Sequence, residues 1–284
     1  MRTSIHDFEK KLAQVYAKIQ RSPMAAENKE LLRGFDRLCA AEGLSLARRW
    51  KLLEYLYVFG TRHFPKPFRG ASAQAIGEAV FAIESSAYAP WTKHDYKVAI
   101  RKLFKFIEWG EGALRRRDYP DCVAGINVQI KKRDQVRIQA ADILTEDEVE
   151  RLLRAATDAQ ERAFVSMLYE LGARVGEVGP MRVGSVTRDQ YGFVCDLNGK
   201  TGPRSVRLVQ AAGALTAWLN LHPKGDDPLA PLWGSLGRGS WGPMPYWAAQ
   251  KLLKRLGRDA RIPSASIPTC CGTPASRTCS PAAG

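Results

Sequence analysis

Long apolar runs are missing from this chain: nowhere do about 18 uncharged hydrophobic residues stand together, and no charged-then-apolar leader opens it, which excludes the usual signatures of a membrane span or a secretory signal. A cytoplasmic protein is therefore expected. Histidine is scarce, with 4 in 284 residues, and none lies near the three cysteines Cys270, Cys271 and Cys279. No Cys-x-x-Cys pair exists, so neither a zinc site nor a disulfide framework is expected, and Cys39, Cys122 and Cys195 read as small hydrophobes. Acidic residues are also under-represented: 29 Asp and Glu face 43 Lys and Arg, a net charge of +14. That surplus favours a polyanionic partner, because each cation that neutralises a phosphate releases a counterion. The 45% hydrophobic content excludes a largely disordered chain and allows two modest domains.

The first 27 residues carry little pattern and are expected to form an extension, 1–27. From Asn28, apolar residues recur at helical spacing. Leu31, Leu32, Phe35, Leu38 and Cys39 stop at Gly43, and Ser45 caps a helix with Trp50, Leu53 and Tyr57 on one side. Ser72 opens a third helix, and Thr92 with Asp95 predicts a capping box for a fourth. About four helices over 28–117 therefore form an all-helical unit. On the fourth, Lys93, Lys97, Arg101 and Lys105 follow at i, i+4 spacing, and like charges so placed repel unless an anion lies along them. Arg115, Arg116 and Arg117 continue the basic character. A linker over 118–142, with Lys131, Lys132, Arg133 and Arg137, can then lie against nucleic acid.

The second half, 143–262, opens with a full capping box, Thr145 and Glu148, followed by helices closing at Gly172 and around Val175 to Met181. Residues 191–197 and 205–209 read as strands joined by a turn-rich hairpin, and helices over 211–220 and 246–257 flank a Pro/Gly/Trp-rich loop. The expected fold is mainly α with a small β-sheet. Arg174 stands just past a helix-ending glycine with Glu177 three residues on. A guanidinium there offers a rigid fork of donors to a phosphodiester, and the carboxylate can orient it. By itself the pattern is more often a structural ion pair, and Lys200 by itself is more often an ordinary turn lysine.

Taken together, Leu171-Gly-Ala-Arg-Val-Gly-Glu-Val178 and Gly199-Lys-Thr-Gly-Pro-Arg204, in this order and spacing over about 28–262, resemble the tyrosine recombinases, the phage-type and archaeal integrases. The resemblance implies a helical, SAM-like core-binding domain followed by a partial catalytic domain, clamping double-stranded DNA from two sides. It makes Arg174 the first catalytic arginine, with Glu177 in support, and Lys200 the hairpin lysine that protonates the departing 5′ oxygen. Lys93, Lys97, Arg101, Lys105, Lys131, Lys132, Arg133 and Arg204 become the expected DNA contacts, with Arg207 a further candidate. His222 is read as structural. The implied reaction is phosphoryl transfer without metal or other cofactor. A tyrosine attacks the scissile phosphate, forms a 3′-phosphotyrosine, and is displaced by a second strand within a homotetramer on two duplexes.

The family's His-x-Leu-Arg-His box and nucleophilic tyrosine do not follow. Tyr246, the last tyrosine, reads as the start of a helix upstream of that box, so no residue is assigned as nucleophile and the chain as written is expected not to cleave. The tail 263–284 is expected to be the product of a shifted reading frame. When the third base of each codon is read into the first two of the next, Cys270 into Cys271 gives only Leu, Cys271 into Gly272 gives Arg or Trp, and Gly272 into Thr273 permits His. Extended over 264–274, the segment can read Arg-Val-His-Pro-His-Leu-Leu-Arg-His-Ser-Arg, which contains the box. A rival expectation is a non-catalytic DNA-binding regulator that keeps the clamp. A type IB topoisomerase relative is disfavoured by the compact helical half.

Overall fold

The computed structural model describes residues 7–131, 144–199, 202–237 and 240–262. Contacts divide the chain into two compact units, Asp7–Arg137 and, at the C-terminal side, Ile138–Gly284. Among the described residues no helix is long and apolar enough to cross a membrane.

The first unit is helical: α1 (Phe8–Arg21), α2 (Ala26–Ala41), α3 (Leu46–Val58), α4 (Ala73–Glu84), α5 (Pro90–Trp109) and the short α6 (Asp121–Ala124). Its boundaries differ from those expected at both ends. The segment read as an extension contains α1, whose Leu12, Val15 and Ile19 are buried, with α3 as its packing partner. The expected linker likewise begins inside the unit, because Val123 of α6 is buried in its core and α6 packs on α4 and α5. The capping box expected at Thr92 is absent. The cap is Ala89, three residues earlier, and Pro90 takes the first helical position, where its missing N–H costs nothing. Asp95 instead pairs with Lys51 of α3 at 2.6 Å. Between α3 and α4 the helix widens into one underwound π turn, with Phe64 N–H donating to Phe59 O at 2.7 Å, and Phe59, Phe64 and Phe68 form a ring cluster there.

The second unit runs α7 (Glu146–Ala155), α8 (Ala159–Glu170), α9 (Val175–Val178), β1 (Val186–Asp189), β2 (Gly192–Gly199), β3 (Gly202–Leu208), α10 (Ala212–Leu221), β4 (Gly234–Gly237), β5 (Ser240–Pro243) and α11 (Tyr246–Asp259). The capping box at Thr145 and Glu148 forms as expected. Strands β1-β2-β3 make an antiparallel sheet in which Leu197 faces Arg204 and Gly199 faces Gly202. Strands β1, β4 and β5 were not expected; β4 and β5 pair as a hairpin within the Pro/Gly/Trp-rich stretch. Phe164, Met167, Val178, Cys195, Leu208, Leu215, Trp233 and Leu256 centre a core that joins helices and sheet. The fold is thus mainly α with a small sheet.

Candidate active site

Gly172 ends α8 in the left-handed region, φ 55°, which reverses the chain at little cost, and Ala173 is buried behind it. Arg174 is then extended at the N-terminus of α9, φ −74° and ψ 150°. Glu177, one turn on, reaches back. Its Oε2 accepts from Arg174 N–H at 3.0 Å and its Oε1 accepts from Arg174 Nη1 at 3.4 Å. The same carboxylate receives a second guanidinium. Arg204 on β3 donates from Nη1 to Oε1 at 3.2 Å and from Nη2 to Oε2 at 2.9 Å. Glu177 is only 5% exposed, whereas the Arg174 side chain is 59% exposed. The hydrogen bonds from Arg204 hold the Glu177 carboxyl below its ordinary value of 4.5, against the effect of burial.

Two features set the β2–β3 hairpin against α9. Glu170, the last residue of α8, accepts three backbone N–H groups from Val209, Gln210 and Ala211, at 2.6, 3.0 and 2.6 Å, and so anchors the end of β3. Gly199 leaves room for Glu177: a Cβ on it would stand 2.0 Å from Oε1. Gly199→Ala is therefore expected to destabilise this unit by about 1–3 kcal/mol through overpacking. Gly213 on α10 has nothing within 4 Å of its would-be Cβ, so Gly213→Ala serves as the comparison. Helix propensity there raises stability by up to about 1 kcal/mol. Urea midpoints of the two variants check the pair, and equal midpoints would show that Gly199 is not in contact with the carboxylate.

The structure thus brings Arg174, Glu177 and Arg204 together. Arg204, expected on the DNA backbone, spends both terminal nitrogens on Glu177, a partner 27 residues distant that no local pattern signals. Arg207 pairs with Asp189 at 2.8 Å through both its terminal nitrogens and draws that carboxyl down to about 2. His222 is buried, accepts from Lys224 N–H through Nδ1 at 3.0 Å, and so carries its proton on Nε2, which donates to Pro231 O. That is the structural role expected of it. Lys200, Lys132, Arg133 and Arg137 lie outside the described residues, as does the tail 263–284.

The basic stripe on α5 is not the open face its spacing suggests. Lys97 is buried and pairs with Glu84 at 2.6 Å, and Lys93 donates to Glu84 O at 2.6 Å. Lys105 is 4% exposed, donates to Arg116 O and stands 4.1 Å from the Tyr119 ring centre, while Arg101 stacks on the other part of that stripe, 3.4 Å from the same ring. Lys97 and Lys105 are therefore corrected as DNA contacts, since burial withholds their charge. The i, i+4 repulsion is relieved by Glu84 and Tyr119 rather than by an external anion. Lys93, Lys97 and the exposed Lys131 border a groove of about 1030 Å³ between α4, α5 and residues 125–131.

XerH site-specific recombinase in a post-cleavage complex with a palindromic difH substrate is 16% identical, with a TM-score of 0.58 over 94% of this chain and 86% of that one. A lambda integrase dimer bound to a COC′ core site is 15% identical, with a TM-score of 0.58 over 84% of this chain. The fold is that of the tyrosine recombinases. The match spans 63% of that lambda integrase chain, and residues 75–356 of lambda integrase bound to DNA match with a TM-score of 0.56 at 14% identity, over 84% of this chain and 78% of that one. No family model matches the chain, and no curated protein is similar to it. Within the tyrosine recombinase fold, the exposed guanidinium of Arg174, braced by a buried carboxylate, is suited to bind the non-bridging oxygens of a phosphodiester.

Proposed function

We propose that this protein binds double-stranded DNA as a site-specific recombinase or integrase, and that Arg174 meets the scissile phosphate. The observation that carries the reading is the Arg174–Glu177 turn, an exposed guanidinium braced by a buried carboxylate in a chain with the fold of the tyrosine recombinases. The relatives named above are recombinases in complex with DNA, and the net charge of +14 suits the same partner. Lys93, Lys131 and Arg174 are the accessible cations proposed to contact phosphates, with further copies of the chain as the other partner. In the complete reaction a tyrosine oxygen displaces the 5′ oxygen from phosphorus, forming the 3′-phosphotyrosine, and Lys200 gives the leaving oxygen its proton. The nucleophile and the His-Leu-Leu-Arg-His box are proposed to lie in the frame that rewrites 264–274.

The test is fluorescence anisotropy of the full chain with duplex DNA between 50 and 200 mM salt. Three phosphate contacts correspond to a log–log slope of about −2.7, a loss of roughly 40-fold in affinity over that range. Arg174→Ala should reduce the slope by about 0.9. Affinity that does not change with salt would sink the reading. Restoring the shifted frame should yield a covalent protein–DNA adduct that the chain as written does not form.

A further inference from the structure

The shared carboxylate gives Arg204 a different task from the one its charge suggests. A carboxylate has about four acceptor positions. On Glu177 they are filled by Arg174 N–H, by a single long contact from Arg174 Nη1, and by two contacts from Arg204 in a fork. The buried negative charge is thus met chiefly by Arg204, and the Arg174 side chain stays 59% exposed with one 3.4 Å hydrogen bond to Glu177. The trio carries a net charge of +1. The position is built for this contact, since a side chain at Gly199 would overlap Glu177 Oε1.

We infer that Arg204 is a positioning residue: by occupying Glu177 it keeps the Arg174 guanidinium free to engage a phosphodiester, without touching the DNA itself. Without Arg204, the buried carboxylate has only Arg174 to neutralise it, and an unpaired buried charge is costly enough to fold that side chain back into a two-pronged pair. Arg174 would then leave the phosphate. The inference rests on the reading above that Arg174 meets DNA.

The experiment measures affinity for a duplex of fixed sequence, and its salt slope, with the full chain as wild type, Arg204→Gln, Glu177→Gln and the double variant. Arg204→Gln should weaken binding and lower the slope by about 0.9, because Arg174 drops out. In the Glu177→Gln background no carboxylate remains to capture Arg174, so adding Arg204→Gln should leave affinity within about twofold and the slope unchanged. Glu177→Gln alone should bind more tightly than wild type, having lost a negative charge beside the phosphate. A direct contact would instead lower the slope by about 0.9 in both backgrounds, and that result overturns the inference. If Arg204→Gln unfolds, the comparison of Glu177→Gln with the double variant still decides, because neither holds a buried carboxylate. A wild-type chain without salt-dependent binding overturns the proposed function first and this inference with it.

Discussion

Asp36→Ala is expected to cost the helical unit on the order of 3–5 kcal/mol, the loss typical when one partner of a buried ion pair is removed. Asp36 on α2 is 2% exposed. Its carboxylate accepts from Arg49 Nε at 2.8 Å and from Arg49 Nη2 on α3, and also from the Tyr16 hydroxyl on α1. One group therefore ties three helices together. The Arg49 side chain is only 18% exposed and cannot discard its proton, so alanine at 36 leaves a cation in a site it cannot leave cheaply. Burial, with Asp36 next, already pushes the Tyr16 phenol well above its ordinary range, so that hydroxyl stays a donor and loses its acceptor. Replacing the pair together, Asp36→Ala with Arg49→Met, should cost less than Asp36→Ala alone, because no unpaired charge remains. Urea unfolding, with amide exchange read on α2, measures both. A double variant as unstable as the sum of its single changes would show that the two groups act independently.

The same residues show what a linear reading can and cannot reach. Helices with regular apolar spacing and a capping residue, such as α2, α3 and α7, were legible because the signals are local. The pattern Leu12, Val15, Tyr16, Ile19 marks α1 as well, yet it is short, and the buried partner that fixes Tyr16 stands 20 residues away. Four-residue strands such as β1, β4 and β5 are too short to show alternation. On α5 the spacing correctly puts Lys93, Lys97, Arg101 and Lys105 along one side. What it cannot reveal is that Glu84 and Tyr119, from other parts of the chain, cover that side. The Arg174 turn was legible through Gly172 and the Glu177 spacing. Its other half, the pairing of Arg204 with Glu177, was not, since a hairpin arginine is given its partner by strand register.

Trp233→Ala is expected to cost the second unit about 3–5 kcal/mol. The indole is fully buried, meets Phe164 edge-on with ring centres 5.2 Å apart, and donates Nε1–H to Val178 O at 2.9 Å. Val178 is the last residue of α9, so this bond fixes the far end of the short helix whose first turn presents Arg174 and Glu177. Residues on both sides are held as well: Leu232 N–H donates to Met181 O at 2.9 Å, and Gly234 N–H donates to Gln160 Oε1 at 2.8 Å. Trp233→Phe separates packing from the hydrogen bond. It retains much of the ring volume but removes one of two hydrogen bonds to Val178 O, the other coming from Met181 N–H at 3.1 Å, a loss of about 0.5–1.5 kcal/mol. A four-residue helix has too few internal bonds to hold its own geometry, so the Phe variant should also loosen the Arg174 turn and weaken DNA binding while the chain stays folded. Urea midpoints and anisotropy on the same preparation read the two effects. A Phe variant with wild-type stability and wild-type affinity would mean that α9 is held by the remaining contacts alone, and that the indole is packing rather than a support for the site.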